Sequence, residues 1–124
     1  MKSLRKKRQF AFERQNGRCY YCNFLMWIDN AEPFAEKYRI SVKQAHALRC
    51  TAEHLSARQD GGGNSTANIV AACRHCNQQR HKRKAPPAPE QYKLFVRKRL
   101  EKTGWHGQWV KTILPQRESI ACLM

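Results

Sequence analysis

The chain has 124 residues, 41% of them hydrophobic, and 24 Lys and Arg against nine Asp and Glu, a formal net charge of +15. This length accommodates one small core with appended helices and excludes two independent cores of ordinary size. So strong a positive balance selects a polyanionic partner, nucleic acid ahead of a membrane surface, and no stretch approaches the ~18 consecutive apolar residues of a membrane span.

In chain order, residues 2–16 read as a basic amphipathic helix, with Leu4 and Phe12 on related faces and Gly17 as its C-terminal cap. Cys19 and Cys22 follow at once. Residues 23–49 hold an apolar run at 24–28, a break at 29–33, and a helix over 41–48 signalled by the capping-box spacing of Ser41 and Gln44. Residues 50–55 read as a short strand, 56–67 as a loop or wide hairpin carrying Gly61, Gly62, Gly63 and Asn64, and 68–72 as a second strand. Residues 74–84 contain no helix breaker. Pro86 and Pro87 end that helix, and 85–89 form a hinge. The clearest helix runs over 90–103, with Tyr92, Phe95, Val96 and Leu100 along one face and Gly104 after it. The tail with Trp105 and Trp109 has no placement from pattern alone, and there are no internal repeats.

The six cysteines include two Cys-x-x-Cys pairs, Cys19 with Cys22 and Cys73 with Cys76. A two-residue spacer lets both sulfurs of one tight turn face the same ion, so the two pairs read as a tetrahedral four-thiolate Zn2+ site that clamps the ends of the segment between them. Four thiolates and one Zn2+ would lower the formal charge only to about +13. A disulfide framework belongs to secreted chains, and the basic N-terminus lacks the apolar run of an export signal; the expected setting is reducing and cytoplasmic. Cys50 and Cys122 have no paired spacing and read as free thiols.

Between the pairs lie Glu53-His54, Gly61-Gly62 and Asn68-Ile69, and Asn77 directly follows Cys76. With Cys73-Arg74-His75-Cys76-Asn77 this order of strand, loop, strand and helix resembles an HNH endonuclease of the four-cysteine type. The resemblance covers residues 17–22 and 50–84 and implies an α+β fold, a small zinc-clamped ββα-metal core with flanking helices. It organises the whole chain, 1–124, as a single nuclease domain: a basic helix at 1–16, the core at 17–84 with 23–49 as an insertion, and a helix and tail at 90–124. Glu53 stands where aspartate is commoner, and Ala57 where proline usually follows the histidine.

Phosphodiester hydrolysis requires an activated water, a cation on the developing phosphorane charge and stabilisation of the leaving oxygen. His54 suits the first task, because an imidazole accepts a proton at physiological pH. Asn77, Glu53 and His81 suit the second; the four-residue interval from Asn77 to His81 puts both on one helix face, and either Glu53 or His81 completes a shell begun by Asn77. Oxygen ligands favour Mg2+ or Mn2+. The resemblance further implies a single catalytic metal, His54 as general base, and Asn68 holding that histidine's loop in place. Arg58, Arg80, Lys82 and Arg83 are the candidate DNA contacts, to phosphate and without sequence information. No obligate protein partner is implied.

A different class of function fits the same composition, a non-catalytic zinc-dependent module that binds nucleic acid without cutting it. The joint presence of His54, Asn68 and Asn77 argues against it, since a pure binder has no chemical use for all three. A dithiol redox protein is a third class, and no βαβ pattern surrounds the cysteine pairs to support it. His75 reads as a DNA-facing or exposed residue, His46 and His106 as histidines without partners, and Asn64-Ser65-Thr66 as a glycosylation sequence without consequence in a cytoplasmic protein.

Overall fold

A computed structural model describes residues 3–56, 63–102, 104–107 and 109. The first helix, α1 (Leu4–Arg14), starts where the Ser3 side chain accepts a hydrogen bond from the Lys6 amide. It stops because Asn16 and Gly17 both turn left-handed, at φ 56° and 75°, and the Gly17 amide reaches back to the Phe12 carbonyl at 2.8 Å. Its buried residues are Lys7 and Ala11, whereas the expected anchor Leu4 is exposed. The helix has too few large apolar side chains to seat itself by them, so a lysine stem and an alanine make the contact.

The chain then folds into a tight knuckle. The Cys19 amide bonds to the Phe24 carbonyl at 2.9 Å and the Met26 amide to the Gly17 carbonyl at 2.8 Å, with Asn23 left-handed at the turn. The segment read as a break at 29–33 instead starts a helix, α2 (Ala31–Tyr38): Asn30 caps it through the Glu32 amide, and Pro33 sits in the first turn, where its missing N–H removes no helical bond. The expected capping box opens α3 (Val42–His46), with the Ser41 and Gln44 side chains bonded reciprocally to each other's backbone amides. A small satellite core forms here from Ala31, Ala35 and Ala45, closed by the Trp27 indole, which donates to the Ala45 carbonyl at 2.7 Å.

Strands β1 (Cys50–His54) and β2 (Ile69–Cys73) pair antiparallel, with Cys50 opposite Cys73 and His54 opposite Ile69. Directly opposed residues share a face, so Thr51, Glu53, Val70 and Ala72 point one way and Cys50, Ala52, His54, Ile69 and Ala71 the other. Helix α4 (Arg74–His81) follows β2 without a linker and reaches the first set through Asn77, Arg80 and His81. Helix α1 packs against both strands, and its Arg8 lies close to Cys50, a residue of the second set. The outer edge of β2 is closed by the first knuckle and the end of α1: the Tyr20 amide donates to the Ala71 carbonyl at 2.9 Å, and the Gln15 side-chain amide binds both backbone groups of Ala71. The two strands and α4 make an α+β hairpin-and-helix unit around which the other helices gather.

Helix α5 (Pro89–Glu101) buries Tyr92, Val96 and Leu100 in the main core, and the Tyr92 hydroxyl donates to the Cys76 carbonyl at 2.7 Å. The tail residues without a sequence placement pack there too. Trp105 stands edge-on to Tyr92 and Phe95, and His106 stacks on Phe24 with ring centroids 5.2 Å apart. His75, expected to be exposed, is half-buried between Trp105 and His106, and His46, likewise read as unpartnered, lies against the Trp27 ring. Both ring nitrogens of His106 are buried with no hydrogen-bond partner among the described residues, and burial pushes its pKa down to about 3. Arg58, the Gly61-Gly62 turn and Cys122 lie outside the described residues.

Gly17→Ala should destabilise by about 1–2 kcal/mol, because the left-handed conformation disfavours any Cβ and the new methyl would meet the Phe12 ring at 3.3 Å. Chemical denaturation at constant zinc content measures it. For His106 the folded state holds the neutral ring to well below the unfolded pKa near 6.5, so stability is complete above about pH 6.5 and falls as the pH drops towards 3. His106→Phe should keep the stacking and flatten the acid side of the stability profile; an unchanged profile would show that His106 is not the titrating group.

Candidate functional site

The sulfurs of Cys19, Cys22, Cys73 and Cys76 all lie within 4.8 Å of one another, and all four residues are buried. The Cys22 to Cys73 separation is 3.9 Å. A tetrahedron with metal–sulfur bonds of about 2.3 Å has edges of about 3.8 Å, so the sulfurs already stand close to zinc geometry. Burial pushes the thiols of Cys22, Cys73 and Cys76 up, while for Cys19 hydrogen bonds from the other three sulfurs outweigh burial and hold it well below its ordinary value. Four thiolates in so dry a place need a cation among them.

Backbone and ring donors are aimed at these sulfurs. The amides of Tyr21 and Cys73 point to Cys19 at 3.4 and 3.2 Å, the Cys76 amide to Cys73 at 3.4 Å, and the Trp105 indole to Cys76 at 3.3 Å. Such bonds fix ligand orientation and favour the thiolate. No sequence pattern points to Trp105, because its role depends on how the tail returns to α4. The fit to a four-coordinate metal rests on the donor set and its spacing.

The second group of residues gathers at the end of β1. Glu53 is almost fully buried, with 1% of its surface exposed; its Oε2 accepts from the Tyr21 hydroxyl at 3.0 Å and from Arg80 at 3.2 Å, and its Oε1 lies 2.9 Å from Nε2 of His81. Glu53 and His81, two of the three proposed ligands of a catalytic metal, are therefore in contact. The Asn77 side chain donates instead to the Thr51 hydroxyl at 3.0 Å and the Ala52 carbonyl at 3.4 Å, tying α4 to β1. Its nitrogen serves the hairpin, which leaves the carbonyl oxygen as the atom able to bind a cation.

His54 points to the opposite side of β1, where Nε2 lies 2.7 Å from Oδ1 of Asn64. A carbonyl oxygen only accepts, so the proton sits on Nε2 and Nδ1 is left as the basic nitrogen. The backbone carbonyl of Asn64 in turn receives the Lys7 ammonium from α1. Asn68 holds both ends of the intervening loop: its side chain accepts from the Ser56 amide at 2.9 Å and donates to the carbonyls of Ser56 and Gly63 at 3.0 and 2.8 Å. Asn64 and Lys7 were missed from sequence, Asn64 because an asparagine after glycines already has a turn to explain it. Tyr21 was missed as one aromatic among many.

One expectation is corrected. Arg80 was placed among the DNA contacts, but only 5% of it is exposed, and its guanidinium is committed to Glu53 and to the carbonyls of Pro87, His54 and Leu55. It lies on the inward face of α4 and balances a buried carboxylate. Lys82 and Arg83 are exposed, and the Arg83 guanidinium lies 4.8 Å from the Phe95 ring centroid.

Comparison with known families gives a match of residues 40–83 to the model for HNH endonuclease. The resemblance drawn from the motifs is thereby supported independently; the matched segment contains Glu53, His54, Asn68, Asn77 and the second cysteine pair, and the first pair lies outside it. No curated protein and no solved structure matches the chain.

Chelation of the metal in the four-cysteine site should unfold the core and not merely inactivate it, since the two pairs are more than 50 residues apart along the chain and their four sulfurs join the first knuckle to the start of α4. Circular dichroism after treatment with a strong chelator, followed by Zn2+ addition, measures this. Retention of the native spectrum without metal would refute the clamp.

Proposed function

We propose that the protein is a metal-dependent DNA endonuclease that hydrolyses phosphodiester bonds with a histidine general base and a single catalytic divalent cation, in a fold held by structural Zn2+. The observation that carries this reading is the end of β1. There a histidine whose Nε2 is held 2.7 Å from the Asn64 side chain directly follows a buried carboxylate that touches a second histidine. The match to HNH endonuclease supports a nuclease-type activity.

In this mechanism Nδ1 of His54 takes the proton of the attacking water, while the Asn64 side-chain oxygen accepts a hydrogen bond from Nε2–H and steadies the imidazolium that forms. Asn68 keeps the loop that carries Asn64 at a fixed distance from the strand. Mg2+ or Mn2+ would be held on the other side of β1 by Glu53, the carbonyl oxygen of Asn77 and His81, so the scissile phosphate would lie across the end of the strand between the cation and His54, and the cation would stabilise phosphorane charge and the leaving oxygen. The Glu53 and His81 ligand atoms stand 2.9 Å apart, close to the separation of neighbouring ligands around an octahedral ion with bonds of about 2.1 Å. Lys82 and Arg83, with Arg58, would contact the DNA backbone.

The non-catalytic binding module draws on one observation of its own: both oxygens of Glu53 already have protein partners. The two readings separate in one assay. Zinc-loaded protein should nick supercoiled plasmid only when Mg2+ or Mn2+ is added, and His54→Ala should lose about 10²–10⁴-fold in rate with zinc content and DNA affinity unchanged. Binding without cleavage under all metals, on DNA of varied sequence, would leave the module as the function.

A further inference from the structure

Three arginines line a groove between α1 and β1. Arg5 and Arg8 come from the first turns of α1, Arg49 from the residue before β1, and the floor is formed by Cys50, Thr51 and Ala52. The groove encloses about 370 Å³, Leu4 forms one rim, and among the described residues no carboxylate lines it. Among the described residues none of the three guanidinium groups has a hydrogen-bond or ion-pair partner, and Nε of Arg8 is buried without one. Arg80 shows the contrast, with its guanidinium hydrogen-bonded to a carboxylate and three carbonyls.

Three like charges around one concavity repel one another, and a buried N–H without an acceptor adds the desolvation cost of an unsatisfied donor. An anion with several acceptor oxygens removes both penalties at once, and the planar guanidinium fork fits phosphate best. The direction of the groove narrows the ligand further. Cys50, Ala52 and His54 lie on one face of β1, so the floor leads from Ala52 straight to His54, two residues or about 7 Å further along the strand. That length is about two nucleotide rises of a DNA strand.

We infer that this groove binds the phosphodiester backbone of duplex DNA beside the scissile phosphate, with Arg5, Arg8 and Arg49 as the contacts. The inference rests on the nuclease reading for its choice of DNA and for the role of His54, but its test does not depend on cleavage. It also gives the basic N-terminal helix a task, since α1 both forms the groove wall and reaches the loop of His54 through Lys7.

The experiment measures binding of a 20-base-pair duplex by the zinc-loaded full chain in a His54→Ala background, across KCl concentrations. Arg5→Gln/Arg49→Gln changes two exposed residues and spares the partly buried Arg8, so folding is not at risk. It should lower the slope of log affinity against log salt by nearly 2, at about 0.9 per lost phosphate contact, and weaken binding at least tenfold at low salt. Lys37→Gln/Lys43→Gln removes the same charge from α2 and α3 and should leave the slope almost unaltered. Equal losses in both variants would mean a diffuse charge effect and overturn the groove. So would an unaltered slope in the arginine variant, no DNA binding by the parent, or a loss seen on anionic vesicles and not on DNA. A parent that binds through the groove but whose His54-containing form never cleaves would overturn the nuclease reading and keep the groove.

Discussion

Everything in this fold hangs on the joint between the first knuckle and the start of α4. The main core is built from Ala11, Ala71, Ala72, five cysteines and a few aromatic rings, with Leu48, Val96 and Leu100 among its few aliphatic residues. At about 25 cal/mol per Å² of apolar surface, alanines and cysteines contribute little burial each. A chain of this size with such a core needs an additional constraint, and a metal held by the four thiolates would supply one of order 10 kcal/mol. The same joint sets the position of the candidate site, because β2 and α4 meet at Cys73 and the hairpin carries Glu53 and His54 at its far end.

The parts of the structure visible in the sequence are those governed by short-range rules. The strand, loop, strand and helix between residues 50 and 81 followed from turn residues and spacing, and the box at Ser41 and Gln44 announced α3. Helix α2 was hidden because Asp29, Asn30 and Pro33 look like a break; the same three residues are equally a helix start, and only the packing of Ala31 and Ala35 on Ala45 decides between them. The site was legible in its residue types and not in its bonds. Proximity in sequence set Glu53 beside His54, but strand geometry turns them to opposite sides, so one became a buried acceptor and the other faces the Asn64 loop. Arg80 was misread for a related reason: a run of basic residues on a short helix has an inward position, and the charge occupying it is decided by a carboxylate from another element.

The tail shows a similar limit. Trp105 and His106 carry no motif, yet one donates to a cysteine sulfur and the other closes the core over Phe24. His106 does so with neither nitrogen hydrogen-bonded among the described residues, a cost that a phenyl ring would not carry. A buried neutral histidine in that position contributes its ring area and nothing from its polarity.

Glu53 is where structure and chemistry compete. Its carboxylate sits beside a guanidinium with 6% of its side chain exposed, and removing either partner of such a buried pair costs about 3–5 kcal/mol. The pair therefore holds α4 against β1 whatever else the site does. A divalent cation approaching Glu53 meets Arg80 on the Oε2 side, where like charge opposes it, and His81 on the Oε1 side, where 39% of the imidazole side chain is exposed. In the proposed site His81 would pass from hydrogen-bond partner to ligand by offering a ring lone pair to the ion, without exposing the carboxylate. On the proposed reading metal entry would be directed to Oε1, and the Arg80 ion pair would persist through it. This division of one carboxylate, with one oxygen structural and the other open to chemistry, would let the hairpin keep its helix while the site gained a cation.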